Sequence, residues 1–185
     1  MTGRTALIAL LAQRSVKRGQ FTLASGKTSE YYIDARLTTM SPEGLSLIGP
    51  LGLSTLESAG WQVDSVGGLT LGADPISYAM SYASASSSRP VRAFTVRKEI
   101  KAHGAGKRIE GPFKEGDHVA VIEDVITTGG SALQAIEAIR NAKGIVSGVL
   151  ALVDREEGGR DAIENAGIRV IALATASELV KAPSS

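Results

Sequence analysis

The chain has no cysteine among its 185 residues. That excludes disulfides, thiolate metal sites and cysteine nucleophiles. It holds only two histidines, and its formal net charge is +1. No strong field therefore draws it towards nucleic acid or an anionic membrane. No apolar run is long enough to span a bilayer. Residues 6–12 are apolar but short, without the basic start and cleavage site of a signal peptide. A cytoplasmic protein is the expectation. Internal repeats, linkers and low-complexity tracts are absent. What remains is 43% hydrophobic and rich in glycine, about one domain of an ordinary globular chain with room for a sizeable core.

Strand-like and helix-like patterns alternate along the chain. Residues 4–17 read as an amphipathic helix with Leu7, Leu10, Leu11 and Val16 on one face. Residues 21–23 and 31–34 read as short strands. Ser41-Pro42-Glu43 is a helix start, and the helix runs towards Ala59 with a kink expected at Pro50. Residues 63–66 form a strand ended by Gly67-Gly68, and a helix follows from Gly72 through about Tyr82. Further strands are expected at 91–96, 119–122, 144–153 and 169–174, with helices after Ser131 and over 160–167. Alternation of this kind predicts an α/β fold with a central parallel sheet flanked by helices.

The stretch His118 to Ser131, HVAVIEDVITTGGS, carries the chemistry. An apolar strand delivers Glu123 and Asp124 to its end, where ligands bind in an open parallel sheet. A turn of small residues, 127–131, then enters a helix. Its amides are unpaired and the helix dipole favours an anion there. Thr127, Thr128 and Ser131 add hydroxyl donors, and Gly129 and Gly130 permit close backbone approach. The turn suits a phosphate and the acids suit sugar hydroxyls, so a phosphorylated sugar matches both. The bland alternative is an ordinary βα turn with a solvated acidic lip.

Residues 97–112 form a second informative stretch. Arg97, Lys98, Lys101, Lys107, Arg108 and His103 crowd a glycine-containing segment without regular periodicity. It reads either as a solvated charged loop or as a lid over an anion, and the nearby anion site favours the lid. Ser25-Gly26-Lys27-Thr28 resembles the end of a P-loop, but Phe21 stands where that motif needs glycine and a strand follows, so the NTPase reading fails. Lys27 is a hairpin tip or a cover for a ligand. Arg155 is a surface ion-pair residue or a fork for a carboxylate-bearing base. His118, at the opposite sheet edge, reads as structural.

The stretch Glu123 to Ser131 resembles the phosphoribosyl-pyrophosphate (PRPP) motif of type I phosphoribosyltransferases. Phe21 to Gly26 with Tyr31-Tyr32, the loop Arg97-Lys98-x-x-Lys101-x-His103-Gly104, and Asp154-Arg155 extend the resemblance over nearly the whole chain, to the orotate-specific family. The resemblance implies a type I phosphoribosyltransferase fold, one domain over 1–185 with a small N-terminal hood from about residues 1–40. It implies transfer of the phosphoribosyl group from PRPP to orotate in pyrimidine synthesis, Mg²⁺ carried on PRPP rather than on protein ligands, and a homodimer whose lid loop is shared across the interface.

The same resemblance implies roles. Glu123 and Asp124 hold the ribose hydroxyls, and Val125, Ile126, Thr127, Thr128, Gly129, Gly130 and Ser131 surround the 5′-phosphate. Lys98 serves its own subunit, whereas Arg97, Lys101 and His103 act across the dimer on the leaving pyrophosphate. Lys101, His103 and Asp124 are the catalytic candidates. Lys27, Tyr32, Thr127 and Arg155 face orotate. The chain departs from the family pattern at Ala24, where many relatives have lysine, and at Leu71-Gly72, where many have a Tyr-Lys pair. A transferase for another base, or a PRPP-sensing regulator without turnover, are the rival expectations.

Overall fold

The computed structural model describes residues 3–22, 28–99 and 108–182. Helix α1 (Gly3–Arg14) leads into a hairpin of β1 (Val16–Thr22) and β2 (Thr28–Ile33), which form a two-stranded antiparallel sheet of their own. A single turn, α2 (Arg36–Thr39), and a long helix, α3 (Pro42–Ser58), follow. Then come β3 (Ser65–Leu69), α4 (Ala73–Ala83), β4 (Arg92–Val96), β5 (Ile109–Glu110), β6 (His118–Ile126), α5 (Gly130–Asn141), β7 (Ile145–Asp154), α6 (Gly159–Asn165), β8 (Val170–Thr175) and α7 (Ala176–Lys181).

The main sheet runs β5-β4-β3-β6-β7-β8. Its strands are parallel except β5, a two-residue antiparallel edge against β4. Period-two alternation splits the central strand between two cores. Ala120 and Ile122 face Leu7, Ile48, Trp61 and Met80, beneath α1, α3 and α4. Val119 and Val121 face Ile136, Ile139 and Ile163, beneath α5 and α6. Each fully buried aliphatic side chain of this kind contributes about 1.5–3 kcal/mol. Among the described residues no helix is long and apolar enough to cross a membrane.

The topology positions a crevice. From β3 the chain winds through α4 to β4 on one side, and from β6 it winds through α5 to β7 on the other. The two connections part between neighbouring strands β3 and β6, at their carboxyl ends. That is the switch point at which open α/β sheets bind ligands. The hairpin hangs above it, tied down by the Asp34 amide donating to Ser15 O (2.9 Å) and by Arg18 donating to Val180 O (2.7 Å).

Several element boundaries differ from the sequence reading. The first helix ends at Arg14, and Val16 opens β1, because pairing with Ile33 captures it. β3 continues through Gly67 and Gly68 instead of ending before them. Both are fully enclosed: a Cβ on Gly68 would lie 2.0 Å from Ile122 O. Here the glycines serve close strand packing, not a turn. β6 reaches Ile126, so both acids sit within its last residues rather than beyond it. α3 runs unbroken through Pro50, started by Ser41, whose hydroxyl accepts from the Gly44 amide (3.1 Å).

Candidate active site

At the end of β6, residues 127–129 turn the chain into α5. Gly129 has φ +82°, a left-handed conformation, and a Cβ there would meet Gly159 O at 2.7 Å. Both features demand glycine. Gly159, at the start of α6, packs back on the turn: its Cβ would meet Thr127 O at 2.5 Å. No side chain caps α5 and no acid lies in its first turn, so the opening amides are left for a ligand. Residues 127–131, with Glu123, Val125 and Ile126, enclose a hollow of about 60 Å³. That is well above the ~10–15 Å³ needed to admit one water, and leaves room for a small anion.

This hollow opens into a second cavity of about 330 Å³, with which it shares Glu123, Val125, Thr127 and Ser131. The larger cavity is also lined by Tyr32, Lys98, Asp124 and Arg155. Its volume falls at the small end of ligand sites, about 300–1,000 Å³. The sequence-derived candidates are thereby brought to one place from four strands. Arg97 is not among them. It follows β4, its amide donates to Arg108 O (2.8 Å), and its guanidinium lies 3.5 Å from Glu110. Those contacts join the two ends of the predicted lid. Lys27, Lys101 and His103 lie outside the described residues. His118 opens β6 at the opposite end of the sheet from the cavity, its backbone amide donating to Asp64 Oδ2 (2.9 Å).

The two acids differ. Glu123 is buried at 8% exposure, and its Oε2 has no hydrogen-bond partner. Burial, reinforced by the Asp124 charge, pushes its carboxyl up to about 9, so it is protonated at neutral pH. Asp124 is half-buried and accepts from the Val125 amide at 2.8 Å. The Asp124 carboxylate lies against the Gly72 backbone in the turn after β3, so a side chain on Gly72 would have to displace it. That turn is braced from below. Thr70 and Thr95 donate to the two oxygens of buried Asp74 at 2.7 and 2.9 Å.

Arg155, at the end of β7, is not a surface residue: it is 5% exposed. Its guanidinium stacks on Tyr31, 5.3 Å from the ring centroid. Nη2 lies 2.8 Å from Glu157 Oε1, an ion pair by distance that lacks hydrogen-bond geometry, and Nε has no partner. A buried fork with unengaged donors beside a cavity suits a planar anionic ligand.

Sequence reasoning missed Asp34 and Arg36, which also line the larger cavity. Arg36 donates from Nε and Nη2 to the two carboxylate oxygens of Asp34, at 2.8 and 3.1 Å. This hydrogen-bonded pair holds Asp34 below the ordinary carboxylate range. The only signal in the sequence was an arginine two residues after an acid at a strand end.

No family model matches the chain. Curated relatives and solved structures do. Orotate phosphoribosyltransferase of Aquifex aeolicus is 47% identical over 183 residues, covering 97% of this chain and 99% of the relative. The Synechocystis enzyme of the same name is 46% identical over 177 residues, covering 95% of this chain and 88% of the relative. Among solved structures, Mycobacterium tuberculosis orotate phosphoribosyltransferase in complex with PRPP superposes with a TM-score of 0.81 at 39% identity. The match covers 97% of this chain and 99% of that one. With a sheet, a switch-point cavity and an acid-turn motif in place, and with likeness of this extent, the chain belongs to the orotate phosphoribosyltransferase family.

Proposed function

We propose that this protein transfers the 5-phosphoribosyl group from PRPP to orotate, releasing pyrophosphate and orotidine 5′-monophosphate for pyrimidine synthesis. One observation carries the reading: an amide-lined hollow sized for a phosphate opens into a cavity that offers acids on one side and a buried arginine fork on the other.

In this reading the 5′-phosphate sits at the mouth of α5, on the amides and hydroxyls of residues 127–131. Asp124 accepts from the ribose hydroxyls. Glu123, protonated, has a carboxyl proton to donate as well as an oxygen to accept with. Arg155 and Thr127 face orotate from the β7 side, with Tyr32 from the hood. The diphosphate then points towards the turn after β3 and towards Lys98. As the C1–oxygen bond breaks, positive charge grows on the ribose and negative charge on the leaving diphosphate. Cations poised there stabilise the transition state more than the ground state. Lys101, with Arg97 and His103, is assigned that task from the neighbouring subunit, and Lys98 from its own.

Mg²⁺ fits this donor set as a substrate-borne ion. Asp34 is engaged by Arg36, whereas Asp124 lines the cavity as a carboxylate that would help hold an ion brought in with PRPP. Such an ion would supply charge neutralisation for the leaving group.

A homodimer with the lid loop shared across its interface completes the proposal. Its support is an apolar face on α3 and α4. Tyr82 is 85% exposed and Tyr78 52%, and they border a groove of about 600 Å³ floored by Leu45 and Pro50. We assign residues 1–40 to a hood on the same domain, and the enzyme to the cytoplasm.

The test is the loss of orotate absorbance in the presence of PRPP and Mg²⁺, beside hypoxanthine, adenine and uracil. Turnover of orotate alone is expected. Turnover of a purine, or binding of PRPP without turnover of any base, refutes the proposal.

A further inference from the structure

The turn after β3 flanks the end of the cavity where the diphosphate would lie, yet it offers no side-chain cation. Leu71 is apolar and Gly72 has no side chain, and the Asp124 carboxylate lies against the Gly72 backbone. Backbone amides alone would then meet a strongly charged group. The cations that line the cavity among the described residues are Lys98, Arg155 and Arg36. Arg155 is buried at the β7 side, with Glu157 and Tyr31.

Arg36 has no other evident purpose. It is half-exposed, and an exposed ion pair stabilises a fold by only about 0–1 kcal/mol. Yet it is held by three contacts to one carboxylate. Nε and Nη2 donate to Asp34 at 2.8 and 3.1 Å, and its own amide donates to Asp34 Oδ1 at 3.2 Å. The clamp fixes the guanidinium and leaves Nη1 outside the pair. Asp34 itself is anchored through its amide to Ser15 O. Arg36 lines the same cavity as Leu71, Gly72 and Asp124.

We infer that Arg36 is a diphosphate-binding residue of its own subunit, supplying from the hood the cation that the Leu71-Gly72 turn lacks. Asp34 is its positioning residue. The inference rests on the proposed phosphoribosyl transfer and adds a contact to it. Clamping ahead of binding means the donor is already ordered when the substrate arrives.

The experiment compares two ligands by calorimetry on Arg36→Gln, Arg36→Lys and the parent protein. PRPP carries the diphosphate, and ribose 5-phosphate shares everything else. Loss of one charge-assisted hydrogen bond weakens binding about tenfold or more. Arg36→Gln should therefore raise the Kd for PRPP by about tenfold, and the Ki of pyrophosphate with it. The Kd for ribose 5-phosphate should change less than about twofold, and Arg36→Lys should fall between. Equal losses for both ligands would make Arg36 a structural support of the hood and overturn the inference. So would unchanged PRPP affinity, or a rise in the orotate KM alone. If the parent protein turns over orotate and Arg36→Gln binds PRPP normally, only this inference fails. If the parent protein turns over no base, the reading beneath it fails.

Discussion

Replacing Glu123 by Gln should make the ligand-free protein more stable, and increasingly so as pH rises. The carboxyl is pushed from 4.5 to about 9, chiefly by burial and secondly by Asp124. Below about pH 4.5 the group is protonated in folded and unfolded chains alike and has no effect on the equilibrium. Between 4.5 and 9 the unfolded chain gives up the proton while the folded one keeps it. Folding therefore becomes less favourable by ~1.4 kcal/mol per pH unit. At pH 7.5 the span of three units amounts to roughly 4 kcal/mol, an upper value for a site that relaxes around its charge. Glutamine resembles the neutral acid in shape and carries no such dependence. Urea unfolding, followed by the fluorescence of the single Trp61, measures both proteins between pH 5 and 9. The gap between them should widen by at least about 1 kcal/mol between pH 5 and 8. Parallel curves would show that Glu123 is ionised in the folded state, and the argument from its burial would fall.

Three further outcomes follow from the same geometry. Asp124→Asn keeps the shape but removes the charge that accepts from ribose hydroxyls, so PRPP affinity by calorimetry should drop about tenfold. Arg155→Gln leaves the phosphate hollow intact. Steady-state kinetics should show a raised orotate KM, about tenfold or more, with the PRPP KM changed far less. Gly129→Ala places a Cβ 2.7 Å from Gly159 O at φ +82°, which should destabilise the fold by about 1–3 kcal/mol in urea and weaken ribose 5-phosphate binding.

Much of this site was legible before any coordinates. The run from His118 to Ser131 shows its strand by β-branched residues and its helix by the spacing of Leu133, Ile136 and Ile139. Ser41-Pro42-Glu43 likewise announces α3. What escaped depends on partners distant in sequence. Val16 fits a helical stripe until Ile33 pairs with it. Gly67 and Gly68 look like a turn until Phe94 and Ile122 are seen to press on them. The two residues of β5 carry no periodicity, and α2 and α7 are too short to show one. α7 did have a local mark: Thr175 and Glu178 form a reciprocal capping box. Arg155 was ambiguous because an Arg between acids reads the same whether exposed or stacked under a hood. Arg36 was invisible because nothing in Asp-Ala-Arg says that a hairpin will hold it over a sheet edge.

The distribution of unsatisfied groups argues for a site that is built ahead of its ligand. Among the described residues the buried side-chain atoms without a hydrogen bond are Thr39 Oγ1, Glu123 Oε2, and Nε and Nη2 of Arg155. Three of the four belong to residues lining the larger cavity. Each such group costs about 1–3 kcal/mol, more where it is charged. An ordinary core would have shed them. Here they are held in place: Arg155 by Tyr31 and Glu157, Glu123 by its position in the central strand. The ligand that satisfies them removes a cost the free protein already bears, so part of its binding energy comes from groups the fold left dry. It follows that the free and ligand-bound proteins should differ in stability by more than their polar contacts alone would suggest. Glu123→Gln keeps a polar group at that position, so its gain in stability without ligand comes from removing the proton linkage alone.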